Sequence, residues 1–215
     1  FDANLQLDVV VKKLKDLRES ENGGREEVDV LKQLHQENLP AVFDFFVEDG
    51  QAYTVMSLIP GQDLEEIREK YPRFNQKQVL YWAKQLARAL AYLHTRKPSI
   101  IHSDIKPSNI MLKPDGDVCL IDFNISLAIT GDYSYASGTS KGFSPPEQYP
   151  DLGFYLEKTG AQLYNTEYDD RTSQAVTIMR KTIGSGIDER SDIYSLGATL
   201  YTLITGEKPS SHYWN

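Results

Sequence analysis

The sequence predicts an α+β protein of two lobes, a small antiparallel sheet followed by a mainly helical region, with a cleft between them. Three observations carry this. Strand-forming runs crowd the first fifty-odd residues, an Asp-Gly turn joins two of them, and from Asn75 onward apolar residues recur at helical spacing. Ligands usually sit in such clefts.

Val9-Val10-Val11 is a β-branched run suited to a strand, and Lys12-Lys13 follow it. Beyond a polar stretch and Gly23-Gly24, Glu26 to Leu34 carries apolar residues at Val28, Leu31 and Leu34, a helical stripe that Pro40 ends. Ala41 to Val47 and Gln51 to Ile59 read as strands joined through Glu48-Asp49-Gly50, and Pro60-Gly61 breaks the pattern. Asn75 and Gln78 have the spacing of a capping box opening a helix with Val79, Trp82, Ala83, Leu86, Leu90 and Leu93 on one face. Short strands at Ile110-Met111-Leu112 and Val118 to Ile121 flank the turn Lys113-Pro114-Asp115-Gly116. Ser173 to Ile183 has the pattern of a helix stopped at Gly184. Ile193 to Ile204 is apolar enough for a buried helix, and too short for a membrane span.

Composition narrows the function classes. With 215 residues, 40% hydrophobic and 25% charged, the chain suits a folded core. A net charge of −8 with no Lys/Arg cluster argues against nucleic acid as a partner. One cysteine, Cys119, lies in an apolar strand pattern, which excludes an internal disulfide and fits a reducing, cytoplasmic setting. No apolar run implies direct membrane contact, and the N-terminus lacks a signal-peptide pattern.

The chemistry concentrates in His102-Ser103-Asp104-Ile105-Lys106-Pro107-Ser108-Asn109. It places an acid, a cation and an amide in one loop, the set phosphoryl transfer needs. Asp122 in Asp122-Phe123-Asn124 supplies a second carboxylate thirteen residues beyond Asn109. On these motifs the chain resembles eukaryotic-type serine/threonine protein kinases, and the phrases Pro145-Pro146-Glu147-Gln148-Tyr149 and Ser191-Asp192-Ile193-Tyr194-Ser195-Leu196-Gly197 resemble bacterial members.

The resemblance implies a partial small lobe over 1–59, holding the family's third strand, the helix after it, the next two strands and the hinge. It implies a large lobe over 60–215, with an insertion at about 150–185. Asp104 would orient a protein hydroxyl and accept its proton, and Lys106 would balance charge on the ATP γ-phosphate. Lys12 would hold the α- and β-phosphates, paired with Glu27 from the following helix; Lys13 is the alternative lysine. Asn109 and Asp122 would hold Mg²⁺, with Mn²⁺ as a substitute. Met56 corresponds to the gatekeeper, the backbones of Ser57 and Ile59 to the adenine contacts, Val10 and Met111 to the residues flanking the ring, and Asp63 to the ribose carboxylate. Ser140 takes the place of the threonine that contacts Asp104 and Lys106, with Thr139 one residue off, and Glu147 closes the activation segment. Asp192 would brace the catalytic loop from a central helix, while His102 and Phe123 join Leu31 and Val42 in a column linking the lobes.

Four departures from the family pattern set further expectations. The glycine-rich phosphate loop and the last helices of the large lobe, including the arginine that pairs with the residue at Glu147, are not in this sequence. Ser103 replaces the arginine that binds an activation-segment phosphate, so control by that route is not expected. Asn124 replaces the glycine after Phe123, which implies stiffer switching with metal binding kept. The insertion, with Tyr155, Tyr164 and Tyr168, reads either as a partner-docking surface or as tolerated surface elaboration. Two other classes compete with an active protein kinase: a pseudokinase scaffold binding nucleotide or protein, and a small-molecule kinase, for which the Pro145-Pro146-Glu147 run is a counter-indication.

Overall fold

A computed structural model describes residues 8–13, 32–97, 99–122, 139–148 and 187–209. The expected helix at 26–34 (except its last turn), Glu27, Leu31, Phe123, Asn124 and the insertion lie outside the described residues.

The first sheet comprises β1 (Val9–Lys13), β2 (Val42–Glu48) and β3 (Gln51–Ser57), antiparallel in the order β1-β3-β2. Asp49 and Gly50 both have positive φ, 51° and 71°, so the hairpin between β2 and β3 closes with the turn chemistry the Asp-Gly pair favours. Register sets Val10 opposite Met56 and Lys12 opposite Thr54. Along β3, Ala52, Thr54 and Met56 point into the core on every second residue, and the Thr54 hydroxyl is buried there without a partner among the described residues.

A second small sheet joins β4 (Gln62–Asp63), β5 (Ile110–Leu112) and β6 (Val118–Leu120) in that order. It carries the expected turn at residues 113–116, closed by the Gly116 amide on the Lys113 carbonyl. Asp63 ends β4 and caps α1 (Leu64–Lys70), its Oδ1 accepting from the Glu65 and Glu66 amides at 2.9 Å each.

The long helix α2 (Gln76–His94) starts at Asn75, whose side chain accepts from the Lys77 amide. The cap bond thus reaches the second helical residue and not Gln78, so the expected capping box is replaced by a simple N-cap. Val79, Trp82, Leu86, Leu90 and Leu93 form the buried stripe, whereas Ala83 is only half-buried. Its place in the buried face goes to Gln85 and Ala89. Gln85 is inside because its amide is fully used. Its Oε1 accepts from Asn38 Nδ2 (3.1 Å) and the Val118 amide (2.8 Å), and its Nε2 donates to Asp117 Oδ1 (2.6 Å). Asn38 also bonds the Val118 carbonyl, and its own carbonyl accepts from the Leu120 amide. The chain just before the hairpin is thereby fastened to the helical region, fixing how the first sheet sits over the second.

The last helix, α3 (Glu189–Thr205), begins with a capping box between Asp188 and Ser191. The sequence predicts a helix buried by its apolar residues; the structure buries a mixed face. Leu196, Ala198 and Leu203 are inside together with Ser191, Asp192, Ser195, Thr199 and Thr202, while Ile193, Tyr194, Tyr201 and Ile204 are exposed. The polar residues of that face turn inward where they hold loop backbone, as with Thr199 Oγ1 on the Ile105 carbonyl (3.3 Å). Among the described residues no helix is long and apolar enough to cross a membrane.

Gly61 enters β4 at φ 128°, and a Cβ there would lie 2.0 Å from the Leu112 carbonyl oxygen. Gly61→Ala is expected to lower the melting temperature by about 5–10 °C, since backbone must move and a left-handed φ is strained. Gly197→Ala, in open space on α3, is expected to raise it by about 2 °C. Thermal melts of the two variants beside the parent check both signs.

Candidate active site

The site is built from the buried end of α3 outward. Asp192 is fully buried, and its two oxygens take separate amides of the catalytic loop: Oδ2 accepts from His102 N–H (2.9 Å) and Oδ1 from Ser103 N–H (2.8 Å). His94, the last residue of α2, reaches the same Oδ2 through Nε2 at 2.7 Å. A carboxylate this deep is tolerated because each oxygen is hydrogen-bonded.

Between those anchors the loop reverses. Ser103 has φ 62°, a left-handed backbone that costs a residue with a side chain about 1–2 kcal/mol. Its hydroxyl donates to the His102 carbonyl at 2.8 Å and is buried. The His102 ring is wholly buried. Its Nε2 lies 3.0 Å from the Ile121 carbonyl, and its Nδ1 accepts from the Asp104 amide at 3.3 Å. These partners require a neutral ring with the proton on Nε2. Burial pushes the imidazole below its ordinary pKa, only partly offset by the Asp192 charge and the Ile121 carbonyl.

Asp104 emerges half-buried from this turn and is met on three sides. Lys106 Nζ donates to Oδ2 at 2.7 Å, Asn109 Nδ2 to Oδ2 at 2.9 Å, and Ser140 Oγ to Oδ1 at 2.7 Å. Lys106 also donates to Ser140 Oγ at 3.0 Å, closing a triangle of acid, cation and hydroxyl. Burial raises the Asp104 pKa, but the bonds from Lys106 and Ser140 with the Lys106 charge outweigh it and hold the carboxyl below its usual value. Asn109 spends its amide nitrogen on Asp104, on both the carboxylate and, at 2.7 Å, the main-chain carbonyl. Thr139 is exposed, so Ser140 is the residue of the pair placed against Asp104.

On the sheet side, Lys12 Nζ pairs with Asp122 Oδ1 at 3.0 Å, both partly exposed. Asp122 has φ 63°. Met56 is buried opposite Val10, which is exposed, and Met111 is paired with Asp63 and with Cys119. Ser57 is pinned to Ala41 both ways: its amide donates to the Ala41 carbonyl (2.9 Å) and its Oγ accepts from the Ala41 amide (3.0 Å). Ile59 follows, half-buried. Val42 is buried on β2, whereas Leu31 and Phe123, the other apolar members of the expected column, lie outside the described residues.

Glu147 accepts from Ser191 Oγ at 2.7 Å, so a hydroxyl on α3 meets the carboxylate whose arginine partner the family supplies from further along. Neither this contact nor His94 on Asp192 was evident from sequence. Only the fold brings Ser191 to Glu147 and His94 to Asp192. A third such residue is Gln148, whose amide reaches the Ser103 carbonyl; it carries no signal beyond following Glu147.

Comparison with known proteins agrees with this geometry. A family model described as "Protein kinase domain" matches residues 2–169. A probable serine/threonine-protein kinase, YbdM, of Bacillus subtilis (strain 168) is 40% identical over 49% of this chain and 41% of its own length. Aurora kinase A-A of Xenopus laevis is 25% identical over 86% of this chain and 37% of its own. The probable serine/threonine-protein kinase fhkA of Dictyostelium discoideum is 28% identical over 85% and 30% respectively. The chain thus spans about two-fifths or less of the length of these relatives. On the family match, which covers well over half of its residues, the chain belongs to the protein kinase domain family.

Proposed function

We propose that this chain carries the catalytic core of a serine/threonine protein kinase, and that its catalytic loop is set without an activating phosphate. The observation that carries the reading is the triangle of Asp104, Lys106 and Ser140, closed by bonds of 2.7–3.0 Å and flanked by Asn109. The related kinases by name and the family match support the same reaction class.

In this reading the acceptor is a protein hydroxyl. Its oxygen forms the new bond to the γ-phosphorus of ATP, the bond to the β-phosphate oxygen breaks, ADP leaves, and the hydroxyl proton passes to the Asp104 carboxylate. A carboxyl held below its ordinary pKa is ionised at neutral pH and ready to orient that hydroxyl. Lys106, already fixed on Asp104, supplies positive charge where the phosphoryl group moves. The donor set suits Mg²⁺: Asn109 has its nitrogen committed, leaving a neutral oxygen, and Asp122 brings a charged one. When bound there, Mg²⁺ neutralises phosphate charge, and Mn²⁺ is the expected substitute. Asp122 is shared with Lys12 in this structure; nucleotide phosphates offer Lys12 another anion, with Glu27 as its expected second partner. Val10, Met56, Met111 and the backbones of Ser57 and Ile59 form the adenine side, and Asp63, with Oδ1 on its helix cap, the ribose side.

The lobes divide at residues 59 and 60 in this reading, protein substrates are the partners, and 150–185 offers a docking surface. Cys119, buried and pushed up to about 12 by desolvation, is an inert core thiol that suits the cytoplasm.

Asp104→Asn keeps size and most contacts but removes the carboxylate. Its rate of phosphate transfer from ATP·Mg²⁺ to a protein substrate is expected to fall about 100-fold or more, with nucleotide affinity within about threefold. Equal incorporation by both proteins contradicts the reading, and nucleotide binding with no transfer by the parent favours the scaffold. A second expectation concerns His102, whose folded pKa lies below the unfolded value of about 6.5. The unfolded chain therefore takes the proton first, so the stability from this group is complete above that pH and is lost as pH falls through it. Melting temperature should drop as pH falls below about 6.5, and His102→Phe should flatten that limb relative to the parent.

A further inference from the structure

Ser103 sits in a conformation it does not prefer, and both of its peptide planes are held from outside the loop. Asp192 fixes the plane before it by accepting the Ser103 amide. The plane after it joins the Ser103 carbonyl to the Asp104 amide and therefore sets the direction in which the Asp104 side chain leaves the backbone. On the amide side that plane is held by His102 Nδ1, a long bond at 3.3 Å. On the carbonyl side it is held by Gln148, whose Nε2 donates to the Ser103 oxygen at 2.8 Å in a buried setting.

Gln148 is unusual for a surface-type residue. It is only 2% exposed, it closes the short 3-10 turn Pro146–Gln148, and its main-chain N–H donates to the Pro145 carbonyl. Its other side-chain atom, Oε1, is buried with no partner among the described residues. A buried, unpaired amide oxygen is costly, so stability alone gives little reason for glutamine here. The donor is the half of the amide that is used.

We propose that Gln148 is a positioning residue for phosphoryl transfer, clamping the peptide plane that aims Asp104. The proposal rests on the kinase reading and deepens it by naming the group that does the bracing. Ser103 has a short side chain turned onto the His102 carbonyl and offers no cation to a phosphate. The segment 139–148 is instead seated on the loop by two neutral side chains, Ser140 on Asp104 and Gln148 on Ser103. Glu147, between them, is fastened to α3 through Ser191. The clamp is uncharged and permanent, so it works without a modification to switch it on.

Two substitutions in the full chain separate positioning from simple packing. Gln148→Leu keeps the volume and removes the paired donor together with the unpaired oxygen, so the melting temperature should stay within about 2 °C. Its kcat should fall about tenfold with the KM for ATP within about twofold. Gln148→Glu sets a carboxylate against the Ser103 carbonyl, and only the protonated acid can donate. Its kcat relative to the parent should be lowest at pH 8 and climb as pH falls to 6, a recovery that the leucine variant lacks. Hydrogen exchange of the 101–110 peptide should quicken in Gln148→Leu at the Asp104 amide, whether or not phosphate is transferred. Parental kcat and parental exchange in Gln148→Leu would overturn the proposal, as would activity that falls only in step with melting temperature while exchange stays unchanged. An absence of pH recovery in Gln148→Glu also counts against it. If the parent itself transfers no phosphate the kinase reading fails, and the exchange comparison still decides whether Gln148 holds the loop.

Discussion

Everything in the candidate site hangs from the carboxylate of Asp192. It lies wholly inside the protein at the start of α3, where helix-end polarity favours an anion, and its oxygens collect two adjacent loop amides and the His94 ring. Those bonds let the chain pass through Ser103 in a left-handed conformation and leave Asp104 half-buried beyond it. Around Asp104 the remaining contacts are short-range consequences: Lys106 and Asn109 lie two and five residues on, and Ser140 arrives from the distant segment docked on the loop. Removing a hydrogen-bonded buried charge of this kind typically costs several kcal/mol, which makes the loop and α3 one mechanical unit.

Sequence and structure agree where one local rule decides the outcome. The Asp49-Gly50 turn, the apolar stripe of α2 and the turn at 113–116 each follow from residue types read over a few positions. Asp104, Lys106 and Asn109 stand within six residues of one another, so one short loop brings them together, whereas Ser140, thirty-six residues from Asp104, was expected there only from the family resemblance. Agreement ends where a polar side chain is buried to hold someone else's backbone. Gln85, outside the expected apolar stripe, ties Asn38 to Val118, and the inner face of α3 sets polar residues beside Leu196, Ala198 and Leu203 because loop backbone rests on it. Apolar periodicity measures a residue's affinity for water, and it is blind to partners more than thirty residues away. Gln148, forty-five residues from Ser103, is invisible for the same reason.

Two kinds of support for an aspartate-bearing loop have different consequences. A loop held by an ion pair with a phosphate is weak until the phosphate arrives, and screening and phosphatases act on it. A loop held by buried hydrogen bonds from within the protein is set when the chain folds. Here the contacts to Ser103 come from Asp192 and Gln148, both internal to the protein, and the serine itself adds no charge. In the proposed reading, regulation falls to other elements, and the Lys12–Asp122 pair is one that nucleotide binding would rearrange. That pair is partly exposed and therefore cheap to open, in contrast to the buried loop anchors.

The sharpest distinction between these modes is kinetic. The full chain, stripped of phosphate and verified by mass, is mixed with ATP·Mg²⁺ and a protein substrate, and transfer is followed from the first seconds. A loop braced by Asp192 and Gln148 predicts a linear onset, with a rate within about twofold of that of chain preincubated with ATP. A lag that preincubation abolishes, with a rise of tenfold or more on activation-segment phosphorylation, would contradict it.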